Sequence, residues 1–278
     1  MKAYRIIDEY RSNLELGYIF YYESKGEFSI EISPDVSMDE APIFLGSFIK
    51  RNQLTIAPEW SARWVQARII PPDRQNLGGI LKENNLKEYD PHKLLELSEG
   101  RCAQDDSAIV PVKPADFPKW LRERLEKRIE FVFPLAPKDL LIFWKDGQIR
   151  RVEIDESLTP RMYPDGERMM ERLMIATKKP GILDSIAVLA GGTGISWGSG
   201  IYITTTALYG KGKRFPVDRM TLDKMMCEYM MSTSEVCREL DCSRQYVSHL
   251  TASHELPVLK EEGRVRLYAR SNVERLRD

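Results

Sequence analysis

The stretch MSTSEVCRELDCSRQYVSHLTASHELPVLKEEGRVRLYARSNVERLRD, residues 231–278, leaves its part of the chain few ways to fold. Ser232 is followed three residues later by Glu235, the spacing at which a hydroxyl and a carboxylate satisfy the free N–H groups that open a helix. That helix is expected to run through Leu240. Asp241 and Cys242 leave room only for a tight turn, and Ser243 caps a second helix, RQYVSHLTASH. Val236, Cys237 and Leu240 on the first helix then face Val247 and Leu250 on the second, one small core shared by two short helices. LPVLKEEGRVRLYAR reads as a hairpin turning at Glu262-Gly263, and Ser271 with Glu274 caps a short last helix.

This order of helix, turn, helix, hairpin wing and helix, in the register TSEVCRELDCSRQYVSHL, resembles the compact winged helix-turn-helix domains of the excisionase and MerR-type DNA-binding families. The resemblance implies DNA as a partner. It puts Arg244, Gln245 and Ser248 on the outward face of the second helix, where Arg suits guanine and Gln suits adenine. It also puts Arg264 and Arg266 on the wing and Arg270 just beyond it, for phosphate or minor-groove contact. The stretch departs from the usual basic pattern: it holds eight Lys/Arg against eight Asp/Glu, and Glu261 and Glu262 sit near the wing tip. Phosphate neutralisation supplies much of DNA affinity, so such a module calls for dimerisation or for help from the adjacent basic KGKRFPVDR. The alternative is a protein-interaction adaptor that keeps the fold without DNA binding.

The rest of the 278 residues divides by composition and punctuation into two further parts, giving an α+β, multidomain chain. Residues 1–130 read as a mixed α/β N-terminal domain of unknown role, and 131–213 as a small β-rich middle domain. KGKRFPVDR is the linker to the winged module at 220–278. In the first part, YIFYYES-KGE-FSIEIS is a hairpin, and PEWSARWVQARII is a helix begun by Pro58 and ended by Pro71-Pro72, with Trp60, Trp64 and Ala67 on one face. RQNLGGILKENNL, YDPHKLLELSEG and PADFPKWLRERLEKRI are three more helices. In the second part, LLIFWKDGQIRRVEI is a hairpin joined at Asp146-Gly147, followed by a helix in DGERMMERLMIATKK that Pro180-Gly181 stops.

AGGTGISWGSGIYITTTALYGKGK, with seven glycines in 24 residues, has the composition of a phosphate loop. Its registers fail the test. A Walker loop needs a Gly-Lys pair after four intervening residues, and here Ser199 or Trp197 stands where the second glycine should be. The dinucleotide fingerprint fails at Trp197 as well. Turn chemistry accounts for the glycines instead: SIAVLA is a strand, GGTG a turn, ISW the return strand, and Gly198 and Gly200 bracket a second turn into IYITT. Thr204, Thr205 and Thr206 are helix caps before ALY, with Trp197 and Tyr209 as packing anchors. Together, LIFWKDGQIRRVEI and GTGISWGSGIYITTTALYGKG resemble a small bacterial domain family of uncharacterised function, whose members are often encoded beside toxin-like partners. The resemblance implies a binding or antitoxin-like role and no catalytic residue.

Cys237-x4-Cys242 and His249-x4-His254 suggest a zinc finger, but the gap between the pairs is half of what a finger needs, and the thiols fall on core positions. No metal or cofactor is therefore expected. Arg68, Asp73, Arg74, Arg101, Gln104, Asp105 and Asp106 could line an enzyme site in the 68–106 region. Capping, turns and surface ion pairs account for them without a catalytic spacing, so no catalytic residue is expected. EW…RIIPPDRQN…LL…SEGRCAQDD resembles the N-terminal accessory region of persistence-toxin kinases, whose kinase motifs this chain lacks. MTLDKMMCEYMM reads as a linker helix packing between domains, with self-association as the alternative. The charged start lacks a signal peptide's apolar segment, no run approaches a membrane span, and the four cysteines form no framework. The expectation is a cytoplasmic, non-membrane, bacterial or phage-like transcriptional regulator, a homodimer on DNA, with a protein partner such as a toxin or a ligand held by its N-terminal parts.

Overall fold

Alternating apolar residues pair the start of the chain into a sheet. β1 (Lys2–Asp8), β2 (Leu14–Tyr22) and β3 (Glu27–Ile32) are followed by α1 (Ile43–Ile49), β4 (Thr55–Ile56), α2 (Pro58–Gln66), α3 (Leu77–Glu83), α4 (Pro91–Leu97), β5 (Ser107–Pro111) and α5 (Lys119–Glu126). A computed structural model describes residues 1–155, 158, 166–198 and 200–277, with 166–169 described in backbone only. The five strands form an antiparallel sheet in the order β4-β3-β2-β1-β5. Ile19 and Ile30 point into one core with Leu45, Phe48, Trp64, Val65 and Leu95, the buried stripes of α1, α2 and α4. Tyr18 and Phe20 point the other way, onto Phe117 and Leu121. β2 is thus covered on both faces, which is why YIFYY carries no polar alternation.

The expected KGE hairpin, the α2 helix with Pro58 in its first turn, and the three later helices are all present. One detail of α2 differs. Ala67 is exposed, and Ser61, Trp64 and Val65 form the buried stripe, because β3 packs along that side.

β6 (Ile129–Ala136), β7 (Asp139–Trp144) and β8 (Ile149–Glu153) continue the chain, and residues 130–131 lie inside β6. β7 and β8 are the expected hairpin, turning at Asp146-Gly147 with Gly147 at φ 81°. α6 (Gly166–Ala176) follows; Asp165, where the helix motif begins, lies outside the described residues. β9 (Ala187–Val188), β10 (Gly194–Ser196) and β11 (Tyr202–Thr204) form a small antiparallel sheet, and α7 (Thr205–Lys211) leads to β12 (Lys213–Arg214). SIAVLA is strand only at Ala187–Val188, and its last residue starts a tight 3-10 turn. Thr204 is the N-cap residue of α7, yet its hydroxyl makes no capping bond. Lys213 and Arg214 do not belong to a linker. They pair with Arg151 and Arg150 and add an edge strand to the sheet β12-β8-β7-β6. Trp144, Leu173, Ile195, Trp197 and Leu208 fill the core beneath, and Tyr209 packs at its margin.

Gly191 and Gly192, at φ 62° and 70°, set the glycine-rich turn against its neighbours. A Cβ on Gly191 would collide with the Tyr22 phenol, and one on Gly192 with the Ile129 carbonyl. Close backbone approach therefore demands glycine at these two positions. Ser199 lies outside the described residues.

All of this belongs to one compact unit, Met1–Phe215; Pro216–Asp278 is a second. The second unit contains α8 (Arg219–Tyr229), β13 (Met230–Ser232), α9 (Thr233–Glu239), α10 (Arg244–Ala252), β14 (Val258–Glu262), β15 (Val265–Ala269) and α11 (Arg270–Arg277). No residue of α8 is buried, and the last two methionines of MTLDKMMCEYMM leave the helix to form β13. β13 pairs with β15 in a three-stranded sheet, β13-β15-β14. Val236, Val247, Leu250, Leu256, Tyr268 and Val273 make the core, with Cys237, Leu240 and Cys242 packed on its edge. The chain is a mixed α+β protein of two compact units. None of its described helices is long and apolar enough to cross a membrane.

Candidate nucleic-acid interface

Three local devices shape one face of the second unit. Ser232 accepts from the Glu235 N–H while the Glu235 carboxylate accepts from the Ser232 N–H at 2.7 Å, so the capping box is complete. The Ser232 N–H and hydroxyl, both donating to the carboxylate, hold the Glu235 carboxyl below its usual range. Asp241 turns the chain at φ 47°, and the Cys242 N–H returns to the Cys237 carbonyl at 2.9 Å. Ser243 then caps α10 by accepting from the Tyr246 N–H at 3.2 Å.

The start of α9, the first turns of α10 and the β14–β15 hairpin enclose an open cleft of about 480 Å³. Arg244 and Ser248 enter it from α10, and Arg264 and Arg266 from the hairpin. Ser232, Thr233 and Ser234 line it from the start of α9. Arg244 Nη2 donates to Ser234 Oγ at 3.0 Å, which braces the guanidinium across the helix pair. Arg266 Nε donates to Glu261 Oε1 at 2.8 Å, and that carboxylate holds the guanidinium pKa above its usual range. Glu262 is within 3.3 Å of Lys260. Both acids near the wing tip are therefore engaged along the wing itself. The hairpin turns at Gly263-Arg264, one residue later than the Glu262-Gly263 expected, because Glu262 still pairs with Val265 and only Gly263 takes the left-handed φ of 59°.

Four of the six residues singled out in the sequence, Arg244, Ser248, Arg264 and Arg266, thus share one cleft. Gln245 is exposed on α10 and is not among the cleft's lining residues. Arg270 is engaged elsewhere. It opens α11, and its Nε donates to the Glu228 carbonyl at 2.7 Å. Ser271 accordingly lies inside α11 rather than capping it, with its Oγ 3.4 Å from Tyr229 Oη. Sequence reasoning missed the hydroxyl row Ser232-Thr233-Ser234 as a lining element, although STS next to a capping box was a visible signal. It also missed Tyr246, 52% exposed on α10 and stacked on His249 with 6.4 Å between ring centroids.

The 68–106 cluster is organised differently. Arg68 is buried, its guanidinium lies 3.7 Å over the Trp64 ring, and Nη2 donates to Asp105 Oδ2 at 2.5 Å. Asp105 Oδ1 accepts from the Ser107 N–H, so both its oxygens hold local structure. Arg101 is exposed and bonded to Glu9 and Glu99, while Asp73, Gln104 and Asp106 are exposed. The cluster is thus divided between an interior pair, Arg68 with Asp105, and a surface set in which Arg101 meets Glu9 and Glu99. No group of three His, Cys, Asp or Glu side chains among the described residues is arranged to hold a metal ion.

No family model, no curated protein and no solved structure matches this chain.

Proposed function

We propose that Pro216–Asp278 is a winged helix-turn-helix module that binds DNA, and that the chain is a non-catalytic, bacterial or phage-like regulator of antitoxin character. The observation that carries this reading is the meeting of Arg244, Arg264 and Arg266 with a row of hydroxyls in one open cleft between α10 and the hairpin. Guanidinium groups donate to phosphate oxygens or, in pairs of bonds, to the O6/N7 edge of guanine, and serine and threonine hydroxyls complete phosphate contacts. In this reading α10 is the recognition helix, with Gln245 exposed beside Arg244 for an adenine edge, and β14–β15 is the wing. Engagement of Glu261 and Glu262 by Arg266 and Lys260 removes part of the repulsion that a wing with two carboxylates would exert on a phosphate backbone. The module stays formally neutral, so two copies acting together on a two-fold site supply the affinity that one lacks. The unit Met1–Phe215 then serves a protein partner or a ligand.

The test is an electrophoretic shift on the DNA upstream of the protein's own coding sequence, at several salt concentrations. Arg244→Ala combined with Arg264→Ala is expected to abolish the specific shift while the melting curve stays unchanged, since both side chains are exposed. Retained specific binding in that double variant overturns the model. A protein-interaction adaptor is the second reading, and a specific observation favours it. Leu259 and Val265 on the hairpin are 51% and 61% exposed, which suits a protein surface better than a phosphate backbone. On that reading no DNA shifts at any salt concentration, and Val265→Asp disrupts partner capture.

A further inference from the structure

Inside the unit Met1–Phe215, a buried carboxylate is outnumbered. Glu31 on β3 is fully buried and meets two guanidiniums: Arg128 bonds its Oε1, and Arg124 Nη1 donates to its Oε2 at 3.2 Å. Thr55 Oγ1 donates to the same Oε2 at 2.8 Å, so both oxygens of Glu31 are occupied. Arg128 is itself buried. One buried negative charge therefore stands against two positive ones, of which Arg128 is buried and Arg124 keeps about a fifth of its side chain exposed. Burial of unpaired charge is costly, and proteins resolve it with a partner or a ligand.

The excess charge has an outlet. Arg124 forms part of the wall of a cavity of about 430 Å³, a volume within the range of small-molecule sites. Its Nη1 is fixed from behind by the Ile32 and Leu54 carbonyls at 2.7 and 3.3 Å, and its guanidinium lies 4.7 Å over the Trp120 ring. Lys127 adds a second cation to the wall, 5.6 Å from the centre of the Tyr209 ring. Thr205 and Thr206 supply hydroxyls, while Leu54, Trp120 and Tyr209 supply apolar surface. The one carboxylate of the wall, Glu123, lies one helical turn before Lys127, is 58% exposed and sits 3.7 Å from Lys119, which partly offsets its charge. Desolvation lowers the Arg124 pKa to about 10, as expected of a guanidinium drawn largely out of bulk water.

We infer that this cavity is a binding site for a small organic anion: a carboxylate or phosphate head held by Arg124 and Lys127, with a ring-bearing apolar body against Trp120 and Tyr209. Charge-assisted bonds to the head and burial of the body each contribute, so neither part alone binds well. The site lies wholly within Met1–Phe215, so its success or failure is read separately from DNA binding by the other unit.

Calorimetric titration of the full chain tests this with indole-3-acetate as the carboxylate probe and AMP as the phosphate probe. Inorganic phosphate serves as a head without a body, and adenosine as a body without a head. At least one of the two complete anions is expected to bind one-to-one, about tenfold or more tighter than phosphate or adenosine. Which of the two binds decides whether the head is carboxylate or phosphate. Lys127→Met, at an exposed position that leaves the Glu31 network intact, is expected to weaken that binding about tenfold with an unchanged melting temperature. Absence of binding by both anions at about millimolar concentration, or full binding in Lys127→Met, overturns the inference.

Discussion

His92 is buried on α4 with its Nε2 2.7 Å from Tyr4 Oη and its ring stacked on Tyr21 at 4.2 Å. Tyr4 Oη donates to Glu96 Oε1 at 2.5 Å, so its oxygen is left to accept from a neutral imidazole N–H. Burial lowers the His92 pKa, against the opposing pull of Glu96. The unfolded chain takes up a proton on this ring near the usual value of about 6.5, while the folded chain resists until lower pH. Stability from this group is therefore complete above about pH 6.5 and is lost as pH falls through the lowered folded value. Urea midpoints between pH 7.5 and 5 are expected to fall in the wild type and to fall less in His92→Gln; superimposable profiles would show that another group governs the decline. None of this was legible beforehand, because HKLLE looks like any amphipathic turn and Tyr4 lies 88 residues away. The same blindness applied to Arg68 and Asp105. Their residue types were conspicuous, but whether they made a site or an interior ion pair depended on the buried Trp64 ring, against which the Arg68 guanidinium lies as it reaches Asp105.

Among elements, those announced by chemistry within four residues were readable, and those created by distant pairing were not. The capping box at Ser232-Glu235, the Ser243 cap and the Asp146-Gly147 turn are local, since each is completed by backbone groups of its own segment. β13 is the contrary case. Met230–Ser232 becomes a strand only because Met231 and Ser232 find Tyr268 and Leu267 across the sheet. β12 likewise exists because Arg150 and Arg151 offer an edge to Lys213 and Arg214, which turned an expected linker into part of a sheet. The cleft inherits both kinds: Arg244 and Ser248 followed from the helix register, whereas the approach of Ser234 to Arg244 depended on how α9 and α10 cross. Ser232 joins the two, as cap of α9 and end of β13. Ser232→Ala is expected to cost about 1 kcal/mol, the usual loss for a removed hydroxyl cap. Chemical denaturation followed by circular dichroism measures it. Ser232→Thr, which keeps a capping hydroxyl, is expected to recover most of the loss, and an equal loss in both variants would point to β13 rather than to the cap.

At the scale of the whole molecule, the division at Phe215 gives each unit its own core and its own proposed role. The core of Met1–Phe215 is built from three antiparallel sheets with helices on them, and that of Pro216–Asp278 from barely more than six buried side chains. A core that small supports only modest stability, so the second unit should unfold more readily than the first. The chain provides a natural reporter: all five tryptophans, Trp60, Trp64, Trp120, Trp144 and Trp197, lie in Met1–Phe215. Intrinsic tryptophan fluorescence therefore follows the first unit alone, while far-ultraviolet circular dichroism follows both. If the units fold independently, the two signals should give separate transitions, the dichroism change beginning at lower denaturant. A chain ending at residue 215 should then reproduce the fluorescence transition of the full chain with the same midpoint. A shift of that midpoint on truncation, or coincident transitions by both probes, would mean that the units stabilise each other, and occupancy of one would then be linked to occupancy of the other.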